Sequence, residues 1–79
     1  MDNYRVQSVL INNNDMTLDE ATDWIVNNKF KLKKVDITEN FFRYRQFNPQ
    51  YIEKLGFTEY IIKKISNKPL IELVIAYQN

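Results

Sequence analysis

The sequence predicts a single small α+β domain: one mostly antiparallel sheet in the order β-α-β-β-α-β-β, with one main helix on one face. Three observations point there. One amphipathic stretch opens on a capping box, Thr17 followed three residues later by Glu20. Segments rich in β-branched and aromatic residues fill most of the remainder and are bounded by Asn, Asp, Pro and Gly. The second helix is only about two turns long, and no linker or repeat interrupts the series.

Residues 4–11 mix β-branched and polar side chains and run into Asn12-Asn13-Asn14-Asp15, whose side chains bond the backbone and stop a strand. A helix then starts at Leu18. Its Leu18, Ala21, Trp24 and Ile25 share one face, Asp19, Glu20, Asp23 and Asn27 lie mostly off it, and Asp19 places negative charge where the helix dipole favours it. Asn27-Asn28-Lys29 ends this helix, since asparagine tolerates the left-handed conformation. Alternation over 32–37 predicts a short second strand, with Thr38-Glu39-Asn40 as a hairpin loop. The third strand lies in Phe41-Phe42-Arg43-Tyr44-Arg45-Gln46-Phe47, with Arg43 and Arg45 on one face and Phe42 and Tyr44 on the other. Asn48 as N-cap and Pro49 at the first helical position begin a helix that runs through Leu55 and closes at Gly56. Segments 57–65 and 70–77 form a terminal hairpin around Ser66-Asn67-Lys68-Pro69. In its last strand Ile71, Leu73, Ile75 and Tyr77 suit a core face, and Glu72, Val74, Ala76 and Gln78 a lighter outer face. Tyr60, Ile61 and Ile62 are apolar on both parities, as in a central strand contacted from both sides.

Composition excludes more than it assigns. At 79 residues the chain is one domain, near the lower size at which a hydrophobic core suffices. With no cysteine and no histidine, disulfides, thiolate chemistry, soft metal sites and the usual base at neutral pH are gone. No enzyme activity, cofactor or metal is expected. Asp19 and Asp23 stand one helical turn apart but lack further ligands, and Asp36, Glu59 and Lys63 fit no catalytic spacing. Trp24 reads as a core anchor on the helix stripe. Eleven Lys plus Arg against ten Asp plus Glu leave a net charge of +1. The charge is unevenly placed: Asp15, Asp19, Glu20 and Asp23 cluster, and most of the basic residues follow them. No secretory signal and no apolar run of about 20 residues is present, so no membrane partner is expected.

The arginine strand is the main candidate site. Each guanidinium fork can make bidentate, charge-assisted bonds to phosphate or carboxylate. With Lys63 or Lys64 and Lys33 or Lys34 from neighbouring strands, and with Phe41, Tyr44 and Phe47 interleaved, Arg43 and Arg45 would form a basic and aromatic sheet face that contacts nucleic-acid backbone. The competing explanation is cross-strand ion pairing of the arginines with Asp36, Glu59 or Glu72.

Taken together, Val6-Gln7-Ser8-Val9, Glu20-Ala21 with Trp24, Lys34-Val35-Asp36 with Thr38, Arg43-Tyr44-Arg45-Gln46 with Pro49, and Leu73-Val74-Ile75-Ala76-Tyr77 form a joint pattern over nearly the whole chain. It resembles a small domain encoded by tailed bacteriophages and large DNA viruses. The resemblance implies a viral setting, intracellular (host cytoplasm or nucleus) or virion, sometimes beside virion-structural or head-assembly genes. It singles out Gln7, Asp36, Arg43, Arg45 and Gln46. It also implies a departure: where relatives often carry an arginine and a threonine before Lys63, this chain has Ile61 and Ile62. That exchange favours a protein-facing surface over a broad cationic groove.

Three functions stay open on these grounds. The first is a small non-enzymatic viral module binding nucleic-acid backbone through Arg43, Arg45, Lys63, Gln7, Gln46 and Tyr44. The second is a virion or assembly protein acting by protein contacts, including with a second copy of itself. The third is an inhibitor of a host protein. In the resemblance, Asp36 braced against an arginine would make the pattern a folding signature instead.

Overall fold

Thr17 starts the main helix, α1 (Leu18–Asn27), with both halves of the capping box made. The Glu20 N–H donates to Thr17 Oγ1 at 3.2 Å, and the Thr17 N–H donates to Glu20 Oε1 at 2.9 Å. The helix ends on paired reverse bonds, Lys29 N–H to the Val26 carbonyl and Phe30 N–H to the Ile25 carbonyl, both 3.1 Å. The left-handed residue in this motif is Lys29, at φ 66°, and not one of the asparagines expected to take that role. Asn28 instead sits at φ −96° and donates its side-chain amide to the Trp24 carbonyl. Lysine has a Cβ where glycine would have none, so Lys29→Gly is expected to stabilise the fold by about 1 kcal/mol. A rise in the urea midpoint at unchanged m-value would confirm it.

The structure, a computed structural model, describes residues 4–78. Besides α1 it contains β1 (Tyr4–Asn12), β2 (Val35–Ile37), β3 (Phe41–Arg45), α2 (Pro49–Lys54), β4 (Glu59–Asn67) and β5 (Leu70–Tyr77). The α+β order β-α-β-β-α-β-β is thus observed. The five strands form one sheet in the order β2-β3-β1-β5-β4, every neighbouring pair antiparallel. The first strand in the chain therefore lies at the centre.

Alternation sorts the two faces. On one face the register brings Val9 beside Tyr44 and Leu73, and Ile11 beside Phe42 and Ile71. Ala21 and Ile25 of α1 close over these residues, with Val6, Met16, Trp24, Phe30 and Val35 at the margin. Trp24, expected as a core anchor, packs against the core from this margin, partly buried and stacked on Phe30 at 5.9 Å between ring centroids. The opposite face is not fully open, because α2 covers one corner. Asn48 caps α2 by accepting from the Gln50 N–H at 2.9 Å, and Gly56 at φ 89° with Phe57 closes it through bonds to the Glu53 and Ile52 carbonyls. Ile52 and Phe57 then bury Ala76, a residue expected on the lighter face, in a second small core with Phe47.

Two segments differ from expectation for identifiable reasons. The second strand is shorter than 32–37, because Gln46 occupies the Lys31 backbone N–H and carbonyl and draws that segment out of the ladder. The β4 strand is not central. It bonds to β5 alone and forms the edge of the sheet, so its apolar residues on both parities, Tyr60, Ile61, Ile62 and Ile65, stand exposed. The hairpin turn is only Lys68-Pro69, joined by a cis peptide bond, and the Leu70 N–H is held by Asp15 Oδ2 at 2.9 Å.

Candidate functional site

The geometry of the arginine strand begins with an irregularity in β1. A bulge between Val6 and Ser8 adds one residue to β1 relative to β5, and bulges redirect side chains locally. Here Gln7 and Ser8 come together: the Ser8 hydroxyl donates to Gln7 Oε1 at 2.7 Å. Arg43 lies across them, donating from Nε to Ser8 Oγ and from Nη2 to Gln7 Oε1, both at 3.2 Å. Gln7 Nε2 in turn donates to the Phe47 carbonyl. Gln7 and Ser8 are buried and Arg43 is half-buried. Two of the five Arg43 N–H donors are therefore engaged inside the molecule by neutral acceptors, not by the carboxylates considered from sequence.

Gln46 is also consumed internally. Its Oε1 accepts from the Lys31 N–H at 2.7 Å, and its Nε2 donates to the Lys31 carbonyl at 3.0 Å and the Tyr44 carbonyl at 3.3 Å. The backbone continues the tie, with the Gln46 N–H donating to the Gln7 carbonyl at 2.7 Å. Gln7 and Gln46 thus join β1, β3 and the segment leaving α1.

Tyr44 and Lys63 do not join the arginines. Tyr44 is 1% exposed beneath α1, and its hydroxyl shares a 3.1 Å hydrogen bond with Thr22 Oγ1. It offers no platform for a base. Lys63 pairs with Leu73 and lines a groove with Tyr4, Val6, Ile61, Ile65 and Ile75. Leu73 lies on the α1 side of the sheet, so Lys63 is on the face opposite Arg43 and Arg45. The grouping of Asp36, Glu59 and Lys63 fails on distance, since β2 and β4 are the two outer strands, about 19 Å apart across four strand spacings. Among the described residues no three metal-ligating side chains converge, and no helix is long and apolar enough to cross a membrane.

Arg45 remains available. Its one ionic partner among the described residues is Asp36, with Nη2 3.8 Å from Oδ2 and both side chains more than 40% exposed. Such a pair contributes little to stability and leaves most of the fork in water. Asp36 faces Arg43 in register but forms this diagonal contact with Arg45 because Arg43 is turned toward Gln7 and Ser8. Around Arg45 lies a notch of about 270 Å³ lined by Lys33, Lys34, Asp36, Phe47 and Asn48. Lys31 sits over the Phe47 ring at 4.4 Å, a cation–π contact that holds a further positive charge nearby. Lys31 and Asn48 were not anticipated as site residues. Asn48 lines the notch as the N-cap of α2 beside Phe47, and Lys31 stands next to it over the Phe47 ring because Gln46 holds the Lys31 segment against the end of β3.

The other exposed feature is β4 itself. All of β4 except Ser66 is exposed, its outer edge has no strand beside it, and Ile62 on one face and Ile61 on the other are 63% and 50% exposed. On the α1 side its apolar residues continue into the groove with Val6 and Ile75, a hollow of about 500 Å³. Long apolar edges invite strand pairing, and natural sheets usually blunt them. No protein-family model, curated protein or solved structure matches the chain.

Proposed function

We propose that the protein is a non-enzymatic binding module whose β4 edge takes up a strand of another polypeptide. The observation that carries this reading is the edge strand with isoleucines exposed on both faces. Added strands gain main-chain hydrogen bonds from the free edge, and alternate side chains supply selectivity from each face. Such an activity is compatible with a virion or assembly protein and with an inhibitor of a host protein, the two protein-contact roles left open by the sequence. Nuclease-treated pull-downs should retain one polypeptide, the chain's own copy included, that Ile61→Lys fails to retain. Equal retention by both proteins would refute the proposal.

A second reading rests on the notch. Lys31, Lys33, Lys34 and Arg45 offset a single carboxylate, Asp36, beside the exposed part of the Phe47 ring, an arrangement suited to nucleic-acid backbone without base specificity. If it binds single strands, the double variant Lys34→Ala/Arg45→Ala is expected to reduce the salt slope of log K by about 1 to 2, with stability changed by only about 0.5 kcal/mol. Fluorescence anisotropy with a labelled oligonucleotide across a salt series reads both affinity and slope. Binding insensitive to salt, or to the double variant, would remove this reading.

A further inference from the structure

We infer that the strand taken up by β4 is the β4 of a second copy, paired antiparallel about a two-fold axis through Ile61. This rests on β4 being the working edge, and it specifies the partner. Directly opposed residues in an antiparallel pair point to the same side of the sheet. A two-fold axis perpendicular to the sheet preserves that side, so a symmetric pairing must centre on a residue opposite its own copy. The choice is then among a few positions of β4.

Charge selects one of them. Centring on Ile61 places Glu59 opposite Lys63 of the second copy, twice by symmetry, Tyr60 opposite Ile62, and Ile61 against itself. Thr58, just ahead of the strand, meets Lys64. Opposite charges and apolar partners at facing positions are the favourable cross-strand pairs. Centring on Tyr60 sets Glu59 against Ile61. Centring on Ile62 sets Ile61 against Lys63 and Tyr60 against Lys64. Centring on Lys63 opposes two ammonium groups. Lys63, an edge lysine that would ordinarily discourage pairing, is the residue that the Ile61 register supplies with a carboxylate.

The irregularity in β4 agrees with this length. Between Lys64 and Ser66 the strand gains a residue relative to β5, so Ile65 is bulged. A bulge bends the strand and raises its twist, which limits straight pairing to the part before it. The Ile61 register uses Thr58 through Lys64 and stops there. The product is a continuous ten-stranded sheet with the α1 helices on one face, since the sheet of each copy has five strands. Such a short contact lies toward the small end of protein interfaces, so association is expected to depend on concentration.

Light scattering coupled to size exclusion, over a concentration series of the full chain, tests the pairing. The wild type should rise from the mass of one chain to that of two. Glu59→Lys and Lys63→Glu each set like charges opposite one another and should weaken dimerisation by about tenfold or more, whereas the double exchange should return it to about the wild-type value. Ile61→Lys, which puts two ammonium groups on the axis, should abolish it. A dimer indifferent to the single exchanges, or not restored by the double one, would overturn the register. A wild type that stays monomeric but retains a different polypeptide through Ile61 would overturn the second-copy partner and leave the edge-binding function standing. A monomer with no Ile61-dependent partner would overturn both.

Discussion

Gln46→Leu is expected to lower the unfolding free energy by about 3 kcal/mol, because leucine fills nearly the same volume but can bond to nothing. Gln46 is 4% exposed and satisfies both backbone groups of Lys31 as well as the Tyr44 carbonyl. Leaving a buried donor or acceptor without a partner costs about 1 to 3 kcal/mol; the Tyr44 carbonyl is such a group, and the part-buried Lys31 N–H and carbonyl add a smaller share each. For a small domain this amounts to a fall in Tm of roughly 12–24 °C. Thermal unfolding followed by circular dichroism gives the value, and hydrogen exchange at the Lys31 amide reports the local release. A variant that melts with the wild type would show that Gln46 does not hold this segment. The expected loss is one of fold, which separates Gln46 from any residue that touches a ligand.

Tyr44→Ala is expected to cost more, about 3 to 5 kcal/mol, the range for removing a large aromatic side chain from a core. Tyr44 is 1% exposed and belongs to the core formed with Val9, Ile11, Ala21, Ile25, Phe42 and Ile71. Loss of that size is comparable to the whole stability of a small domain, so the variant should be largely unfolded at physiological temperature. Tyr44→Phe keeps the ring and removes only the hydroxyl shared with Thr22, at a cost of about 1 kcal/mol. A ring that stacked on bases would behave in the opposite way, with Tyr44→Ala stable and defective in binding. Urea titration of the two variants beside an oligonucleotide titration distinguishes these patterns.

The contrast among Arg43, Tyr44, Arg45 and Gln46 shows how far strand alternation reaches. It correctly separates the two arginines from Tyr44, because period-two geometry is a local property of extended backbone. It does not say which guanidinium stays in water. That depends on the bulge in β1, which delivers Gln7 and Ser8 to Arg43, while Arg45 meets only a distant Asp36. The assignment of Lys63 to the same surface failed because its face depends on the alternation of another strand, paired through β5. Likewise, the apolar residues of β4 were visible, but exposure follows from lateral position, and a central strand and an apolar edge have the same hydrophobic pattern.

Local chemistry in the chain is enough to set the number and order of the elements, the capping box at Thr17, the Asn48-Pro49 start of α2 and the turn at Gly56, since each depends on neighbours within a few residues. Strand order is a long-range outcome. Placing β1 at the centre and β4 at the rim turned Gln7, Arg43 and Gln46 into internal braces, and it left Arg45 and the isoleucines of β4 facing outward. The physical reason is that hydrogen-bond satisfaction and burial are properties of the assembled sheet, whereas propensity and periodicity belong to the individual strand.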